Sequence, residues 1–492
     1  MNRDYGKIVR AFKSRKKGAT VADIVSSTGL PMNKVRELIP KAADEFKGRL
    51  EVTESGEILY SFPNGFTSRY RGFIPFLNRY SQKTIAAIAK AGTFLFKIWI
   101  MVMLVGYFIL FMAIAVASLV LSAAASSNNR SRGGNRDGGN YGGSRGSRGG
   151  MYSSMMIFNL IIRLWFASEM TRSFNSGYGN NNWGKSRTKS RPLYKAIFSF
   201  VFGDGDPNAN WEEETKKAFI AHLKENRGVI SLPEFMILGG YTPVEAESKI
   251  TSMCVEFEGS PEATNDGTIV YRFDKILLGS EKPKKQTGLP LLFKNPVPFS
   301  SNPEKMNFWF GIINGVNLAF GSYFLYSAAT VGRILTETKT IYGFVHEWLS
   351  KITDPLPVII TGLGIIPVVF SILFWLIPML RSLANKKKNR QIRFENFRKF
   401  SFSKIWNSPL NIKKTDLDPV YKEAIPAQLN EAQDHVLKEM GVYDIPDIKL
   451  ENNKEIYTYA GIEREKEALK KYRSSIIPEA SSLGNIVFDS DN

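Results

Sequence analysis

Three long stretches without a charged residue constrain the fold of this chain more than any other feature of its sequence. They lie at residues 98–125, 306–332 and 355–380. Each is longer than the roughly 20 apolar residues that a helix needs to cross the hydrocarbon core of a bilayer. The first follows a long polar segment, unlike a cleavable signal peptide. The sequence therefore predicts a multi-pass membrane protein.

A shorter apolar stretch at residues 151–168 is a candidate for a further span. It is interrupted by Asn159 and Arg163. Because Arg163 lies near one end, its long side chain can reach the lipid headgroups, and we expect this stretch to cross the membrane. The alternative is a helix that lies in the membrane interface. The expected fold is thus an α-helical bundle of about four spans.

The chain has a formal net charge of +19 at pH 7, and its basic residues border the apolar stretches. Residues 171–195 and 381–414 are rich in Lys and Arg. By the positive-inside rule these segments face the cytoplasm, which places both termini there and makes residues 126–150 and 333–354 external loops. The expected location is the cytoplasmic (inner) membrane. The cations expected to lie against anionic lipid headgroups are Arg79, Lys83, Lys90, Lys386, Lys387, Lys388, Arg390 and Arg393.

Two parts of the chain repeat one pattern. Residues 45–62 read EFKGRLEVTESGEILYSF, and residues 256–273 read EFEGSPEATNDGTIVYRF. The match extends without a gap to residues 5–62 and 216–273, which we call the N-terminal segment and the middle segment. Similarity at a fixed offset indicates an internal duplication.

Each segment has the pattern of three helices followed by a pair of strands. In the third helix of the N-terminal segment, apolar residues recur at helical spacing from Val35 to Phe46. The residues that follow alternate, and Gly56 or Gly267 supplies the turn of a β-hairpin. This order is typical of the α+β winged-helix form of the helix-turn-helix. Residues 430–461, the tail segment, show a similar pattern only with gaps and are a candidate third copy.

The order of these elements resembles a family of uncharacterised multi-pass membrane proteins from cyanobacteria, plastids and other bacteria. The likeness rests on the alternation of winged helices and pairs of spans, on a basic and then acidic tail, and on the sequence FVFGDGDPNANWEEE before the middle segment. It covers most of the chain and implies the same fold, but its motifs imply no functional residues. Some plant relatives carry an iron–sulfur biosynthesis label. A single cysteine, Cys254, cannot form a set of thiolate ligands for a cluster.

These observations predict a multi-domain membrane protein with two or three small winged-helix domains. The N-terminal half comprises the first winged helix (1–66), a basic juxtamembrane helix (67–97), the first span (98–125), a Gly/Arg-rich loop (126–150), the second span or interfacial helix (151–168), a basic linker (169–210) and the second winged helix (211–276). The remainder comprises a basic linker (277–305), the third span (306–332), an external loop (333–354), the fourth span (355–380), a basic juxtamembrane segment (381–414) and an acidic tail (415–492).

The third helix of a winged-helix domain decides whether the domain can read DNA. Readers place this helix in the major groove, which requires net positive charge. In the middle segment its outward positions carry carboxylates, so we expect a protein-interaction surface there, formed by Glu245, Glu247, Ser248, Ser252 and Glu256. In the N-terminal segment the outward charges cancel, and nucleic-acid binding stays open as an alternative. The residues that would carry it are Asn33, Lys34, Arg36 and Lys41.

Two further motifs each have a simple and a more specific interpretation. Residues 126–150 are rich in Gly and Arg, as are segments that bind RNA, but an external flexible linker is the favoured interpretation. Residues 204–215 alternate acidic and amide side chains as calcium loops do, yet Ala209 and Thr215 stand where such loops need Gly and Glu. We expect instead a capping box between Asn210 and Glu213.

The sequence contains no nucleophile elbow, phosphate-binding loop or dinucleotide fingerprint, and its three histidines are not at metal-ligand spacing. We therefore expect no enzymatic activity, no cofactor and no metal site. The favoured function is a scaffold that displays winged-helix modules at the inner face of the membrane to an unidentified protein partner, close to anionic lipid. The alternatives are a membrane-tethered regulator that binds nucleic acid, and a subunit of a membrane assembly or translocation complex. The sequence leaves the oligomeric state open.

Overall fold

The structure is a computed structural model that describes residues 3–15, 18–69, 73–128, 191–279, 289–331, 341–351, 355–451, 454–476 and 485–490. Over these residues the chain is mostly helical, with three small sheets of three strands each. It divides into two compact units. The first unit is Met1–Ala86, Asp206–Val297 and Lys386–Asn492, and the second is Ala87–Gly205 and Pro298–Asn385. The expected second span (151–168) and most of the Gly/Arg-rich loop (126–150) lie outside the described residues.

The described helices and strands follow one another in a simple order. The α-helices are α1 (Arg3–Lys13), α2 (Val21–Thr28), α3 (Met32–Phe46), α4 (Phe73–Met101), α5 (Tyr107–Asn128), α6 (Leu193–Phe202), α7 (Trp211–Glu225), α8 (Leu232–Gly239), α9 (Pro243–Phe257), α10 (Asp274–Leu277), α11 (Glu304–Val331), α12 (Ile341–Ser350), α13 (Pro355–Val358), α14 (Ile366–Asn407), α15 (Leu429–Tyr443) and α16 (Ala460–Ser475). The strands are β1 (Arg49–Thr53), β2 (Ile58–Ser61), β3 (Val229–Ser231), β4 (Ser260–Ala263), β5 (Ile269–Arg272), β6 (Ile412–Lys413), β7 (Asp447–Glu451), β8 (Lys454–Thr458) and β9 (Ile486–Asp489). Two π-helical turns, Val102–Gly106 and Ile359–Ile365, and two 3-10 turns, Lys414–Leu417 and Lys422–Ala424, complete the order.

The N-terminal and middle segments start their second helices in the same way. Helix α2 begins with a capping box in which Thr20 and Asp23 satisfy each other's backbone N–H groups. Helix α8 begins with the same arrangement between Ser231 and Glu234. Such a box pairs donors that a helix start would otherwise leave unsatisfied. The two helices therefore begin at corresponding residues.

The corresponding helices also end in the same way. Helix α2 is followed by Gly29 at φ 67° and α8 by Gly240 at φ 72°, both in the left-handed region that glycine adopts at little cost. The third helices, α3 and α9, end at non-glycine residues in this region, Lys47 at φ 53° and Glu258 at φ 56°. The second and third helices of the two segments therefore end at corresponding positions in the same conformation.

The three sheets share one arrangement. In the second and third sheets a short strand pairs with the second strand of a hairpin, which gives the orders β3-β5-β4 and β6-β8-β7. In the first sheet, Ala19 forms a bridge to Tyr60 and takes the position of the short strand beside β2. The first sheet differs by one addition, because β9 pairs with the outer edge of β1. Strand β6 lies outside residues 430–461, so the tail sheet begins earlier in the chain than the sequence pattern indicates.

One hydrophobic core joins the elements of the first unit. It contains side chains from the N-terminal segment, the middle segment and the C-terminal region, including Val35, Phe219, Ile250, Val436 and Tyr459, each at most 1% exposed. Burying a large apolar side chain contributes roughly 1.5–3 kcal/mol. The three sheets and their helices are therefore held together by shared packing.

The second unit contains the long apolar helices. Among the described residues, three helical stretches are long and apolar enough to cross a membrane, namely Ala87–Leu121, Glu304–Ala328 and Ile359–Asn407. They overlap most of the expected first, third and fourth spans (98–125, 306–332 and 355–380). Many of their large apolar side chains are exposed in the protein alone, among them Leu119, Ile372 and Leu380. Such an outer surface is what a lipid environment requires, and it indicates membrane association.

Side-chain donors connect the helices of the second unit. The amide of Asn317 on α11 donates to the carbonyl of Leu104 at 2.8 Å, within the first π-helical turn. The hydroxyl of Tyr107 donates to the carbonyl of Gly362 at 2.8 Å, within the second. Polar side chains in apolar bundles bind across helices in this way, and π-turns disturb the regular pattern of backbone bonds. Asn317 is fully buried, so its contact is shielded from solvent.

Three of the expected connecting segments contain packed structure: the expected external loop 333–354, which includes α12 with the buried Val345, and two basic segments. The expected linker 169–210 includes α6, where Ala196, Ile197 and Phe200 are buried because the sequence AIFSFVF is apolar. The expected juxtamembrane segment 381–414 continues α14 without a break as far as Asn407. Its later turns bury Phe397 in the core of the first unit. Composition alone identified the latter two segments as basic and missed their apolar faces.

The predicted capping box at α7 is wrong. Helix α7 does start after Asn210, but the side chain of Asn210 makes no capping bond. Its backbone lies at φ −104° and ψ 14°, outside the extended region in which an N-cap side chain reaches the third helical residue. The carboxylate of Glu213 binds Lys7 and Lys217 instead.

Candidate interaction surface

The residues proposed for nucleic-acid binding lie on the exposed side of α3. Its other side is buried in the core through Val35, Leu38 and Ile39, so helical spacing sets the orientation. The exposed candidates are Asn33, Lys34, Arg36 and Lys41. Each of the three cations has a carboxylate partner in the protein: Lys34 binds Asp4 at 2.7 Å, Arg36 binds Glu258 at 2.5 Å and Lys41 binds Glu37 at 2.6 Å.

The pKa values of these carboxylates follow from the pairing. The bond from Lys41 lowers the pKa of Glu37. For Glu258, partial burial acts to raise the pKa, but hydrogen bonds from Arg36 and Lys275 lower it overall. Both carboxylates are therefore ionised at neutral pH and balance the cations of α3. The electrostatic attraction of this helix for a polyanion is correspondingly small.

The residues expected on α9 differ in their surroundings. Glu245, Glu247, Ser248 and Ser252 are exposed, whereas Glu256 is half-buried. Glu245 accepts a bond from the backbone N–H of Thr242 at 3.1 Å and so caps its own helix. Glu256 binds Lys216 of α7 at 2.7 Å. Glu245, Glu247 and the two serines thus form the part of the predicted surface that is exposed to solvent.

Polar contacts also join the N-terminal segment to the middle segment and to the residues that flank it. Lys7 binds Glu213 at 2.5 Å, and the hydroxyl of Thr20 donates to the carbonyl of Leu278 at 2.9 Å. Together with Arg36 and its partner, these contacts lie at the boundary of the two segments. One side of α3 therefore faces another part of the same chain rather than a free groove.

A buried charge cluster connects the middle segment to α16, and no sequence pattern indicated it. Arg473 donates to both carboxylate oxygens of Glu234, at 2.9 and 2.6 Å, and to the carbonyl of Val229 at 2.8 Å. His222 lies 3.4 Å from the same carboxylate. Burial alone would raise the pKa of Glu234, but the bonds and charges of His222 and Arg473 lower it to about 2. Such a pair positions α16 firmly, because separating it would leave a buried charge.

A second buried carboxylate lies on α16 itself. Glu465 is 8% exposed and accepts a bond from the hydroxyl of Tyr443 at 2.6 Å. Burial raises its pKa to about 7. The nearest sequence clue is the helical spacing of Ile462, Ala468 and Leu469, which are buried on the same side. That spacing predicts an inward face but gives no reason to expect a carboxylate within it.

The basic residues predicted to contact lipid are mostly exposed. Lys90 is exposed, as are Lys386, Lys387, Lys388, Arg390 and Arg393 on α14. Lys388 also binds Asp206 at 2.6 Å. The backbone of α4 includes Arg79 and Lys83, but their side chains lie outside the described part of the chain. Contact of these cations with anionic headgroups stays a prediction.

The described residues include few groups that could bind a metal ion, react as a nucleophile or line a polar cleft. Within the described residues, no group of three His, Cys, Asp or Glu side chains is arranged to hold a metal ion. Burial raises the pKa of the Cys254 thiol to about 11, so it is protonated at neutral pH. One cleft of about 510 Å³ is present in the first unit, and its only charged lining residues are Lys404 and Asp416.

Comparison with known proteins gives one informative similarity. The chain is 24% identical over 408 residues to an uncharacterised chloroplastic protein of Arabidopsis thaliana, covering 79% of this chain and 70% of that protein. This similarity fits the resemblance to a plastid and cyanobacterial group of membrane proteins. No protein-family model matches the chain, and no solved structure matches it.

Proposed function

We propose that this protein is a non-enzymatic membrane scaffold that displays winged-helix modules to protein partners at the cytoplasmic face of the inner membrane. The modules are the N-terminal segment, the middle segment and a third formed around the tail segment. Exposed cations of α14 hold them close to anionic lipid, each contributing about 1 kcal/mol near the surface. The proposed topology has four spans with both termini in the cytoplasm, following the positive-inside rule.

The repeated sheet arrangement supports the winged-helix interpretation. Three helices precede each of the first two hairpins, and a short strand or bridge pairs with the second hairpin strand in all three sheets. In the third module the end of α14 stands in place of the first helix, β6 is the short strand and α15 is the third helix. This module begins before residue 430, because its first helix is the end of α14, which continues a candidate span.

The pairing of the α3 cations is the observation that favours protein over nucleic acid as the partner. DNA binding releases counterions in proportion to the number of free cations at the interface. Lys34, Arg36 and Lys41 are each bound to a carboxylate, and α9 presents Glu245 and Glu247. A phosphate backbone would have to displace these carboxylates or lie beside them, which is unfavourable in both cases.

A DNA-binding measurement on the full-length protein in lipid nanodiscs separates the two functions. We expect little binding of a fluorescent duplex at about 150 mM salt. A variant with Asp4→Asn and Glu258→Gln frees Lys34 and Arg36 and provides a positive comparison, since its binding should increase and fall steeply with salt. Tight, salt-dependent binding by the unchanged protein would favour the nucleic-acid regulator and contradict the scaffold.

Site-specific photocrosslinking in intact membranes tests the protein-interaction surface. A crosslinker at Glu247 or Ser252, both exposed on α9, should capture the same protein from either position. A crosslinker at Asp266, which is exposed in the turn between β4 and β5, serves as the matched control. If the three positions capture the same set of proteins, α9 is not a specific surface.

A further inference from the structure

The C-terminal strand β9 covers the outer edge of β1 in the first sheet. The two strands are antiparallel, with Glu51 opposite Asp489 and Val52 opposite Phe488. Backbone bonds flank this pairing, from Ser490 N–H to Leu50 O at 3.0 Å and from Glu54 N–H to the carbonyl of residue 485 at 2.9 Å. An uncovered edge strand presents unpaired N–H and C=O groups to other chains. Strand β9 satisfies these groups on β1.

Strand β9 is held by its backbone, by one ion pair and by two flanking side-chain hydrogen bonds, from Leu50 N–H to Ser490 Oγ at 3.1 Å and from the amide of Asn485 to Glu54 Oε1 at 3.1 Å. Its apolar side chains remain largely exposed, Ile486 by 55%, Val487 by 69% and Phe488 by 58%. The guanidinium of Arg49 binds the carboxylate of Asp489 with two donors, one of them Nε at 2.8 Å from Oδ1. Because β9 buries little apolar surface, its pairing with β1 lacks the hydrophobic contribution that usually dominates the stability of a strand.

The other two sheets indicate that β9 is an addition to the common arrangement. The strands that correspond to β1 are β4 and β7, and each is an end strand in its sheet as described. The pairing register between β1 and β9 shifts between Val52 and Thr53, which limits the regular ladder to a few residues. The module therefore does not need a strand at this position, and a short extended segment is enough to fill it.

We propose that the outer edge of β1 is a docking site for an extended segment of a partner protein, and that β9 is an internal occupant which the partner displaces. The segment that fits has a few apolar residues followed by an Asp or Glu that binds Arg49, as Asp489 does. Recognition of this kind takes affinity from the main chain and specificity from alternate side chains. The proposal rests on the scaffold function and names the docking mode of its N-terminal module.

A partner segment can replace β9 because the apolar side chains of β9 are exposed and, among the described residues, its only ion pair with β1 is the one between Asp489 and Arg49. An incoming segment can make the same backbone bonds to β1 and the same bond to Arg49. Because β9 belongs to the same chain, its pairing with β1 is intramolecular, and a free peptide competes with it at a disadvantage. The intact chain should therefore bind a free peptide much more weakly than a chain that lacks β9.

The experiment compares full-length protein with a form that lacks residues 485–492, both in detergent. The probe is a fluorescent peptide of sequence LGNIVFDSDN, residues 483–492. We expect the shortened protein to bind it at least tenfold more tightly than the intact protein. Arg49→Glu in the shortened protein should weaken binding at least tenfold, and a peptide with Asp489→Lys should restore binding to that variant. Asp489→Lys in the intact chain loosens β9 without truncation and should also increase binding of the unchanged peptide.

Three results would overturn the proposal. Absence of binding to both the shortened protein and the Asp489→Lys protein, with hydrogen exchange in β2 unchanged, would show that the edge is no docking site. Equal binding to intact and shortened protein would show that β9 is no competitor. A dimer of the intact protein that is lost with Arg49→Glu would make a second copy, and not a partner protein, the occupant. Failure of the peptide test leaves the crosslinking result at α9 standing, so the two proposals fail separately.

Discussion

Replacing Glu465 by Gln should stabilise the first unit at alkaline pH and leave it unchanged at acidic pH. The carboxylate is buried on α16 and accepts the hydroxyl of Tyr443 at 2.6 Å. Burial raises its pKa from 4.5 to about 7. The Tyr443 bond opposes this rise, and the neighbouring charges of Glu234 and Asp444 add to it. The folded protein therefore retains a proton at Glu465 that the unfolded chain releases.

The sign and size of the effect follow from this difference in pKa. The stability that comes from the extra proton is fully present below pH 4.5 and is lost as the pH rises through 7. Above that value the folded state must bury an ionised carboxylate, at a cost of about 3 kcal/mol from 1.36 kcal/mol per pKa unit. Glutamine keeps the size of the side chain and an oxygen acceptor for Tyr443, but it carries no charge. We expect Glu465→Gln to raise the free energy of unfolding by about 3 kcal/mol at about pH 8.5 and by almost nothing at about pH 4.5.

Hydrogen exchange of α16 in the full-length protein measures this change. After correction for intrinsic exchange rates, a gain of about 3 kcal/mol slows exchange more than a hundredfold at alkaline pH. Glu467→Gln, an exposed position on the same helix, is the matched control and should change stability by less than about 0.5 kcal/mol. An equal gain at both pH values, or no gain at alkaline pH, would refute the assignment of a raised pKa to Glu465.

Three further changes test other contacts. Arg473→Ala leaves the carboxylate of Glu234 buried without its main partner and should lower the free energy of unfolding by about 3–5 kcal/mol. Faster hydrogen exchange in α8 measures this loss. Replacing an exposed lysine of α16 by Ala is the control and should cost little. Gly267→Ala places a side chain at φ 81° in an open turn, so strain of about 1–2 kcal/mol without a clash should appear in urea unfolding. Asn317→Leu removes the bond to the carbonyl of Leu104 and should lower stability in detergent by about 0.6–1.7 kcal/mol, with no effect on exchange in the first unit.

The sequence predicted features that depend on local spacing and composition. Helix α3 is amphipathic, with Val35 and Ile39 inside and Arg36 outside, because neighbouring turns align these positions. The apolar helices were predictable because their length and lack of charge are themselves the physical requirement. Turn glycines such as Gly56 were predictable because only a residue that tolerates positive φ closes such a hairpin.

Contacts between distant residues could not be predicted in the same way. The partners of Arg36 and Arg473 lie hundreds of positions away along the chain, and many carboxylates could have served equally well from charge alone. The inward direction of Glu465 was missed for a related reason, since a glutamate in a helix is normally solvated. The short strand β6 was missed because a few residues give too little alternation to indicate a strand.

The acidic character of the C-terminal region acquires a structural meaning from these contacts. Its charge excess was evident in the sequence, but composition treats all carboxylates alike. In the structure Glu439 binds Arg398 with two bonds, at 2.7 and 2.8 Å, and Asp489 binds Arg49. The first pair is mostly buried and fixes α15 against α14, whereas the second lies on an exposed strand. Because a mostly buried pair is costly to separate and a more exposed pair is worth less, Glu439 fixes α15, whereas Asp489 leaves β9 exchangeable.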